Sequence, residues 1–362
     1  MKKAICFFLL LPVFLLSCCA YSASAYAVLD ADTGVLLDQS NADTRLAMAS
    51  TTKIMTGLLA AEDSDPNRII EVPASCAGVE GSSMYLQAGE QLSLRDVLYG
   101  LLLCSGNDAA ECIAAVCGGR EAFVARMNER AAELGLTDTH FDNPSGLDGE
   151  THYTTAAELA QLAAAALQNE IFAAVVSTQN YTSGSHFMHN HNRLLAQYDG
   201  CIGVKTGFTR TAGRCLVSAA KRDGRTIVAV TLHDPDDWND HTRMLDTAFS
   251  ALKKQTAVDA MQEIDTISVV SGVQSNVSLV CSNPLEVSIF DGESVTLQVQ
   301  KRGMLYAPVA AGTVCGTVSV RVNDTELASS PLVAAADVPL DPSQERPSLW
   351  DRLLRFFHRS ET

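Results

Sequence analysis

Positive charge is what this chain has least of. Against 42 aspartates and glutamates stand only 26 lysines and arginines, for a formal net charge of −16. Such acidity, with no basic stripe, argues against nucleic acid as a partner. Long apolar runs are scarce too: beyond the N-terminal segment, no stretch is apolar or long enough to span a membrane. No Gly-rich phosphate loop and no dinucleotide fingerprint occurs, so no cofactor is implied.

The N-terminus reads as an export signal. Lys2 and Lys3 precede an apolar run from Ile5 to Leu16, and Ala23-Ser24-Ala25 forms an A-x-A cleavage site. At 12 residues the run is too short to span a bilayer comfortably, so a cleaved signal peptide over residues 1–25 is expected and Tyr26 starts the mature chain. A lipoprotein reading of Leu16-Ser17-Cys18 is set aside because a clean cleavage site follows it. The mature part can bury a large core and accommodates two domains.

Eleven cysteines suggest a disulfide framework, but Cys6, Cys18 and Cys19 leave with the signal. The other eight sit mostly in apolar runs and match no metal spacing, which favours buried thiols. Two pairings stay open: Cys201 with Cys215 across two strands, and Cys112 with Cys117. His186, His189 and His191 lie close together, but a zinc site needs further ligation, and no metal is assigned.

The pattern from Tyr26 to Thr256 mixes strands with Ala/Leu-rich helices. Strands are expected around Asp32-Thr33-Gly34 and over 201–206, 213–219 and 225–232. Helices are expected over 50–62, 92–104, 108–116, 121–134 and 155–167. This is an α+β domain, an antiparallel sheet with a helical cluster on one side. Short β-rich runs separated by turns make residues 266–338 a second, all-β domain, and residues 339–347 a Pro-containing linker. Over 348–359, Leu349, Trp350, Leu353, Leu354, Phe356 and Phe357 fall within about 160° of helical arc. Three arginines lie on the opposite side. An amphipathic helix lying on a membrane surface is expected there, with docking on the β domain as the alternative.

Three short motifs carry the chemistry: Ser50-Thr51-Thr52-Lys53, Ser105-Gly106-Asn107 and Lys205-Thr206-Gly207. Each is weak by itself. In this order they supply a serine nucleophile, a base one helical turn away, a polar proton-relay pair and a cationic strand for an anionic substrate. Ser50 and Lys53 are i and i+3 on a helix, hence neighbours. For Lys53 to accept a proton it must be neutral, and burial beside Lys205 would lower its pKa. Ser105 can pass a proton, Asn107 can bond a substrate amide, and Gly207 leaves room for close backbone approach.

With these motifs the chain resembles the D-alanyl-D-alanine carboxypeptidases among the low-molecular-weight penicillin-binding proteins. Phe141-Asp142-Asn143-Pro144-Ser145-Gly146-Leu147, His152-Tyr153-Thr154-Thr155 and Gly203-Val204-Lys205-Thr206-Gly207-Phe208-Thr209 are similar to that family's pattern as well. The resemblance implies a β-lactamase/transpeptidase-like catalytic domain, and an acyl-ester on Ser50 with Lys53 as base. It also implies Ser105 and Asn107 as relay and substrate ligands, Lys205 and Thr206 on the terminal carboxylate, and an oxyanion hole from the Ser50 and Phe208 N–H groups. Peptidoglycan stem peptides are the implied substrate, β-lactams the implied covalent inhibitors, and the outer face of the cytoplasmic membrane the implied location. Some relatives place a carboxylate-binding arginine after the third motif; here Asp236-Asp237-Trp238-Asn239-Asp240-His241 stands there. Neither Arg210 nor Arg243 can be given that role from sequence. A serine β-lactamase is the runner-up, but its Glu-x-x-Leu-Asn segment is missing. A non-catalytic peptidoglycan-binding protein is the third reading, opposed by the intact Ser50, Lys53, Asn107 and Lys205.

Overall fold

The computed structural model describes residues 21–344. Most of the expected signal peptide and the whole of the expected helix 348–359 lie outside the described residues. The chain opens on a hairpin of β1 (Ala25–Asp30) and β2 (Leu36–Ser40), followed by a 3-10 turn, Ala49–Thr52, that runs into α1 (Lys53–Ala61). The strands β3 (Ile69–Glu71) and β4 (Gln91–Ser93) pair beside a run of helices: α2 (Leu94–Leu103), α3 (Asn107–Val116), α4 (Arg120–Glu133), α5 (Ala156–Leu167) and α6 (Glu170–Val176). A second small hairpin, β5 (Asn180–Ser183) with β6 (His186–His189), precedes the short α7 (Leu194–Gln197). Then come β7 (Cys201–Thr209), β8 (Gly213–Arg222), β9 (Arg225–Leu232) and α8 (Asp237–Ser250).

Local chemistry sets several of these boundaries. Ser93 and Asp96 form a reciprocal capping box at the start of α2, while Thr155 and Asn169 cap α5 and α6. Ile54, Met55 and Leu58 of α1 are buried in the middle of the helical cluster. The strands form one antiparallel sheet in the order β2-β1-β9-β8-β7, so β9 is buried along its whole length and β7 is an edge. The helical cluster covers one face. On the other, Met244, Leu245 and Ala248 of α8 pack on Leu216, Ala220 and Ile227.

The second domain is all β: β10 (Lys253–Val258), β11 (Glu263–Val270), β12 (Asn276–Cys281), β13 (Leu285–Ile289), β14 (Val295–Lys301), β15 (Leu305–Tyr306), β16 (Val314–Val322) and β17 (Thr325–Ala334). Six of them form a sheet in the order β14-β16-β17-β12-β11-β15, and β10 pairs with β13. This domain therefore begins near Lys253, before the expected position, because β10 is tied to β13. Its residues Lys253–Thr256 are exposed, so no apolar alternation marks the strand in sequence.

The expected helices and strands of the first domain are all present, and α6, α7, α8 and the two small hairpins β3–β4 and β5–β6 are additions. The cysteine pairings do not form. Cys201 lies opposite Ala220 and Cys215 opposite Gly207, at different points of the β7–β8 ladder. All eight described cysteines are free thiols, Cys112 and Cys117 included.

Candidate active site

The site forms where the 3-10 turn passes under the edge strand β7. Gly207 makes this possible: a Cβ there would stand 3.1 Å from the Ser50 nitrogen and 3.2 Å from the Met48 carbonyl oxygen. Any side chain at 207 would push strand and nucleophile apart. Ala49, just before the nucleophile, is held at φ 49°, a left-handed conformation uncommon for a residue with a side chain. Gly146 lies against the same turn at φ 89°, and a Cβ there would fall 2.0 Å from the Ala49 carbonyl oxygen.

Lys53 begins α1 and is wholly buried. Its Nζ lies 2.9 Å from Ser50 Oγ, 2.7 Å from Asn107 Oδ1 and 2.5 Å from the Ser145 carbonyl oxygen. The last two can only accept hydrogen bonds. A neutral amine satisfies both with its two N–H groups and keeps its lone pair for the Ser50 hydroxyl proton. Burial, followed by the nearby Lys205 charge, holds the Lys53 pKa well below that of an ordinary lysine. Both influences favour that neutral form.

Each partner of Lys53 is itself fixed. Asn107 opens α3, its N–H donating to the Ser82 carbonyl at 2.7 Å and its Nδ2 to the Glu80 carbonyl at 2.7 Å. Ser145 is positioned by Asn143, whose Oδ1 accepts from the N–H groups of Ser145, Gly146 and Leu147 at 3.1, 2.7 and 3.2 Å. His152 is buried, and its Nδ1 accepts from the Asp142 N–H at 2.9 Å. Its Nε2 is 2.7 Å from Thr52 Oγ1, and that hydroxyl donates to the Ala49 carbonyl at 2.8 Å. Since Nδ1 accepts, a neutral His152 carries its proton on Nε2 and donates to Thr52. Burial pushes its pKa down to about 4, which keeps it neutral.

Ser105, at φ 59°, is 5% exposed and lines the cleft with Ser50, Thr206, Gly207 and Phe208. The cleft is small and polar, about 320 Å³. A larger apolar cleft of about 480 Å³ lies between the domains, among Val28, Leu36, Met244 and Phe290, far from the nucleophile in composition and character. Lys205 is not on the cleft wall. It is 1% exposed, its Nζ donates to the Thr206 carbonyl at 2.9 Å, and burial lowers its pKa to about 7. Strand alternation puts Lys205 and Gly207 on the α1 side of the sheet and Thr206 and Phe208 on the other.

On that second face stands a residue the sequence did not single out. Arg214 lies directly across from Phe208 in the β7–β8 ladder and lines the cleft. Its Nη2 donates to Asp237 Oδ1 at 2.8 Å, and its guanidinium lies 5.8 Å from the Trp238 ring centroid. Arg193 flanks the same ring at 5.8 Å. Arg243 is turned away, paired with Asp240. The histidine group is dispersed among separate partners: His186 lies between the Met84 carbonyl and Glu90, and His189 bonds Asn180.

Comparison with known proteins is consistent with this geometry. Residues 15–236 match the family model described as D-alanyl-D-alanine carboxypeptidase, and residues 252–340 match the penicillin-binding protein 5 C-terminal domain. The chain belongs to the D-alanyl-D-alanine carboxypeptidase family. It is a serine peptidase of that family, as the resemblance implied. It is 34% identical to the D-alanyl-D-alanine carboxypeptidase DacF of Bacillus subtilis, over 88% of this chain and 86% of the relative. It is 30% identical to DacC of Escherichia coli, over 93% and 89%. Among solved structures, penicillin-binding protein 5 of Haemophilus influenzae superposes with a TM-score of 0.64 at 26% identity, covering 88% of this chain and 98% of that one.

The neighbouring charge on Lys205 makes a prediction. Acylation by a neutral Lys53 falls as pH drops through its depressed pKa. Replacing Lys205 with glutamine removes a repelling cation, so the Lys53 pKa should rise and the acid limb of the acylation rate should move to higher pH. Stopped-flow acylation by a fluorescent penicillin across pH measures this, and an unmoved limb would show that Lys205 does not act through Lys53.

Proposed function

We propose that this protein removes the terminal D-alanine from peptidoglycan pentapeptide stems through an acyl-enzyme on Ser50, and that β-lactams trap it by forming the same ester. The observation that carries the reading is a wholly buried amine, its pKa lowered by burial and by the nearby Lys205, 2.9 Å from a serine hydroxyl at the floor of a polar cleft. Lys53 takes the Ser50 proton as Oγ attacks the penultimate carbonyl carbon. The developing oxyanion is received by the N–H groups of Ser50 and Phe208. Ser105 carries the proton to the departing amine, and D-alanine leaves. Water then cleaves the ester by the reverse proton path. Asn107 orients the substrate amide, and β7 offers a free strand edge along which an extended peptide can lie.

The substrate ends in a carboxylate. With Lys205 buried, the groups facing that charge are the Thr206 hydroxyl and the Arg214 guanidinium, which Asp237 and Trp238 hold in place. Lys205 serves the site mainly by keeping Lys53 deprotonated. The basic and apolar N-terminal segment supplies the export signal, and the amphipathic segment 348–359 attaches the enzyme to the outer face of the cytoplasmic membrane, facing the wall. The family's activity supports this location, because the substrate lies outside the cell.

Two measurements test the reading. Ser50→Ala should lower D-alanine release from a muropeptide pentapeptide by at least about a thousandfold, and mass spectrometry should place the penicillin adduct on the Ser50 peptide. An adduct on Ser105 would overturn the roles, rapid penicillin turnover would indicate a β-lactamase, and no adduct would indicate a binding protein. Arg214→Ala should lower kcat/KM about 10- to 100-fold for substrates with a free terminal carboxylate, and much less for their amides. An equal loss for both would remove Arg214 from carboxylate recognition.

A further inference from the structure

The β domain has two distinct ends. β14 and β16 run antiparallel, so Val295 and Val322 lie at one end and Lys301 and Gly316 at the other. The first end adjoins the catalytic domain: Arg225 donates to the Ser288 carbonyl and to Glu293. Seven residues of β14, at about 3.3 Å each, put the opposite end roughly 20 Å further out.

Three segments meet at that outer end. Val270 pairs with Tyr306, the Ala307 N–H donates to the Val270 carbonyl, Gly272 bridges to Leu340, and the Val273 N–H donates to the Pro339 carbonyl. The side chains they expose are apolar: Tyr306 is 69% exposed, Val273 53%, Met304 51% and Val270 39%. Clustered exposure of this kind needs an explanation that scattered surface apolar residues do not. Beside them Arg302 is exposed, with no ion-pair partner among the described residues. Lys301 is engaged by Asp265, and Asp337 and Asp341 are nearby acids. The chain also leaves the described fold here, and the amphipathic segment 348–359 follows within a few residues.

We propose that this outer end is a second membrane contact, in which Met304, Tyr306, Val270 and Val273 enter the headgroup region of a bilayer and Arg302 meets anionic lipid phosphate. Tyrosine suits that depth, with an apolar ring and a polar tip. The segment 348–359, proposed above as the anchor, begins four residues past the last described residue in sequence, so attachment there would keep the outer end near the same surface. The inference rests on the export proposed above and not on the catalytic assignments.

The test uses the full mature chain and vesicles of equal parts phosphatidylglycerol and phosphatidylcholine. The double variant Met304→Asp with Tyr306→Asp should weaken partitioning about tenfold or more, while D-alanine release from a soluble pentapeptide stays unchanged. Leu297→Asp, at an exposed apolar position on β14 between the two ends, should leave partitioning as it was. Unaltered binding of the double variant overturns the proposal, as does an equal loss with Leu297→Asp, which would indicate nonspecific adsorption. Tyr306→Trp gives a second readout. Its added tryptophan emission should shift to the blue with these vesicles, and no shift counts against insertion. D-alanine release is scored separately, so failure of the catalytic reading shows there alone.

The N-terminal edge of the sheet carries an independent inference. Ala25 is fully buried as the first residue of β1, opposite Leu232. The Ser24 N–H donates to the carbonyls of Leu232 and His233 at 3.1 and 3.2 Å. The Ser22 N–H donates to Asp240 Oδ2 at 2.5 Å, its hydroxyl donates to Asp234, and it accepts from the Asp236 N–H at 3.2 Å. Tyr21 packs edge-on against Tyr26 and under the Arg243 guanidinium. We infer that export processing cuts the chain before Tyr21 and not after Ala25. Cleavage after Ala25 would remove the serine that bonds two buried carboxylates and the first pairing of the strand. Intact mass of the exported protein should place the N-terminus at Tyr21 or upstream, and a start between residues 22 and 26 overturns the inference. A chain beginning at Tyr26 should also melt several degrees below one beginning at Tyr21, and equal Tm values would show that the segment has no structural role.

Discussion

Taking the Lys53 ammonium out of water is the constraint around which the catalytic domain is arranged. A buried charge costs several kcal/mol unless it is paired, and among the described residues no carboxylate is bonded to this one. The fold resolves the conflict by favouring the neutral amine. That choice demands acceptors for two N–H groups and a hydroxyl for the lone pair, converging from separate parts of the chain. Asn107 comes from the start of α3, Ser145 from the loop before α5, and Ser50 from the turn before α1. None can move without leaving a buried polar group unsatisfied. The packing of α1 against α2, α3 and α5 is therefore a condition of the chemistry as much as of stability.

The supports of this arrangement are mostly backbone atoms, which bears on what the sequence could reveal. Ser50, Lys53, Ser105 and Asn107 are legible because the proposed chemistry needs those side chains at fixed spacing, and Gly207 because the close approach of Ser50 leaves no room for one. The Ser145 carbonyl is not, since any residue carries one; only Asn143, which shapes the loop, and Gly146, which must approach Ala49, leave a trace. Arg214 escaped notice for another reason. Its place on the cleft comes from lying opposite Phe208 in the β7–β8 register, and register is a tertiary property. The same ladder separates Cys201 from Cys215, whose pairing looked possible only while the register was unknown.

Elements outside the site show a similar division. Helices with long apolar faces and strong caps, such as α2 and α5, were readable from periodicity. α8 was not read, although its first turn carries Asp237 and Asp240 and its buried face carries Met244, Leu245 and Ala248. The acidic start fits a helix N-terminus. β10 had no comparable signal, because its first four residues face solvent and the strand is held by pairing with β13.

The joint between the domains determines whether the β domain can act as a strut. Arg225 is wholly buried there, bonded to Asp30 and Glu293 and to the Ser288 carbonyl. A flexible hinge would be expected to use exposed, weakly interacting surfaces. This one instead encloses a guanidinium whose partners come from both domains. Opening the joint would strip the cation of Glu293 and of the Ser288 carbonyl, leaving Asp30 as its remaining bonded carboxylate among the described residues. Bending is therefore resisted at the catalytic end of the β domain. A stiff joint keeps the two domains in register without loading the Lys53 geometry, because the residues of the joint are not the ones that hold that geometry together.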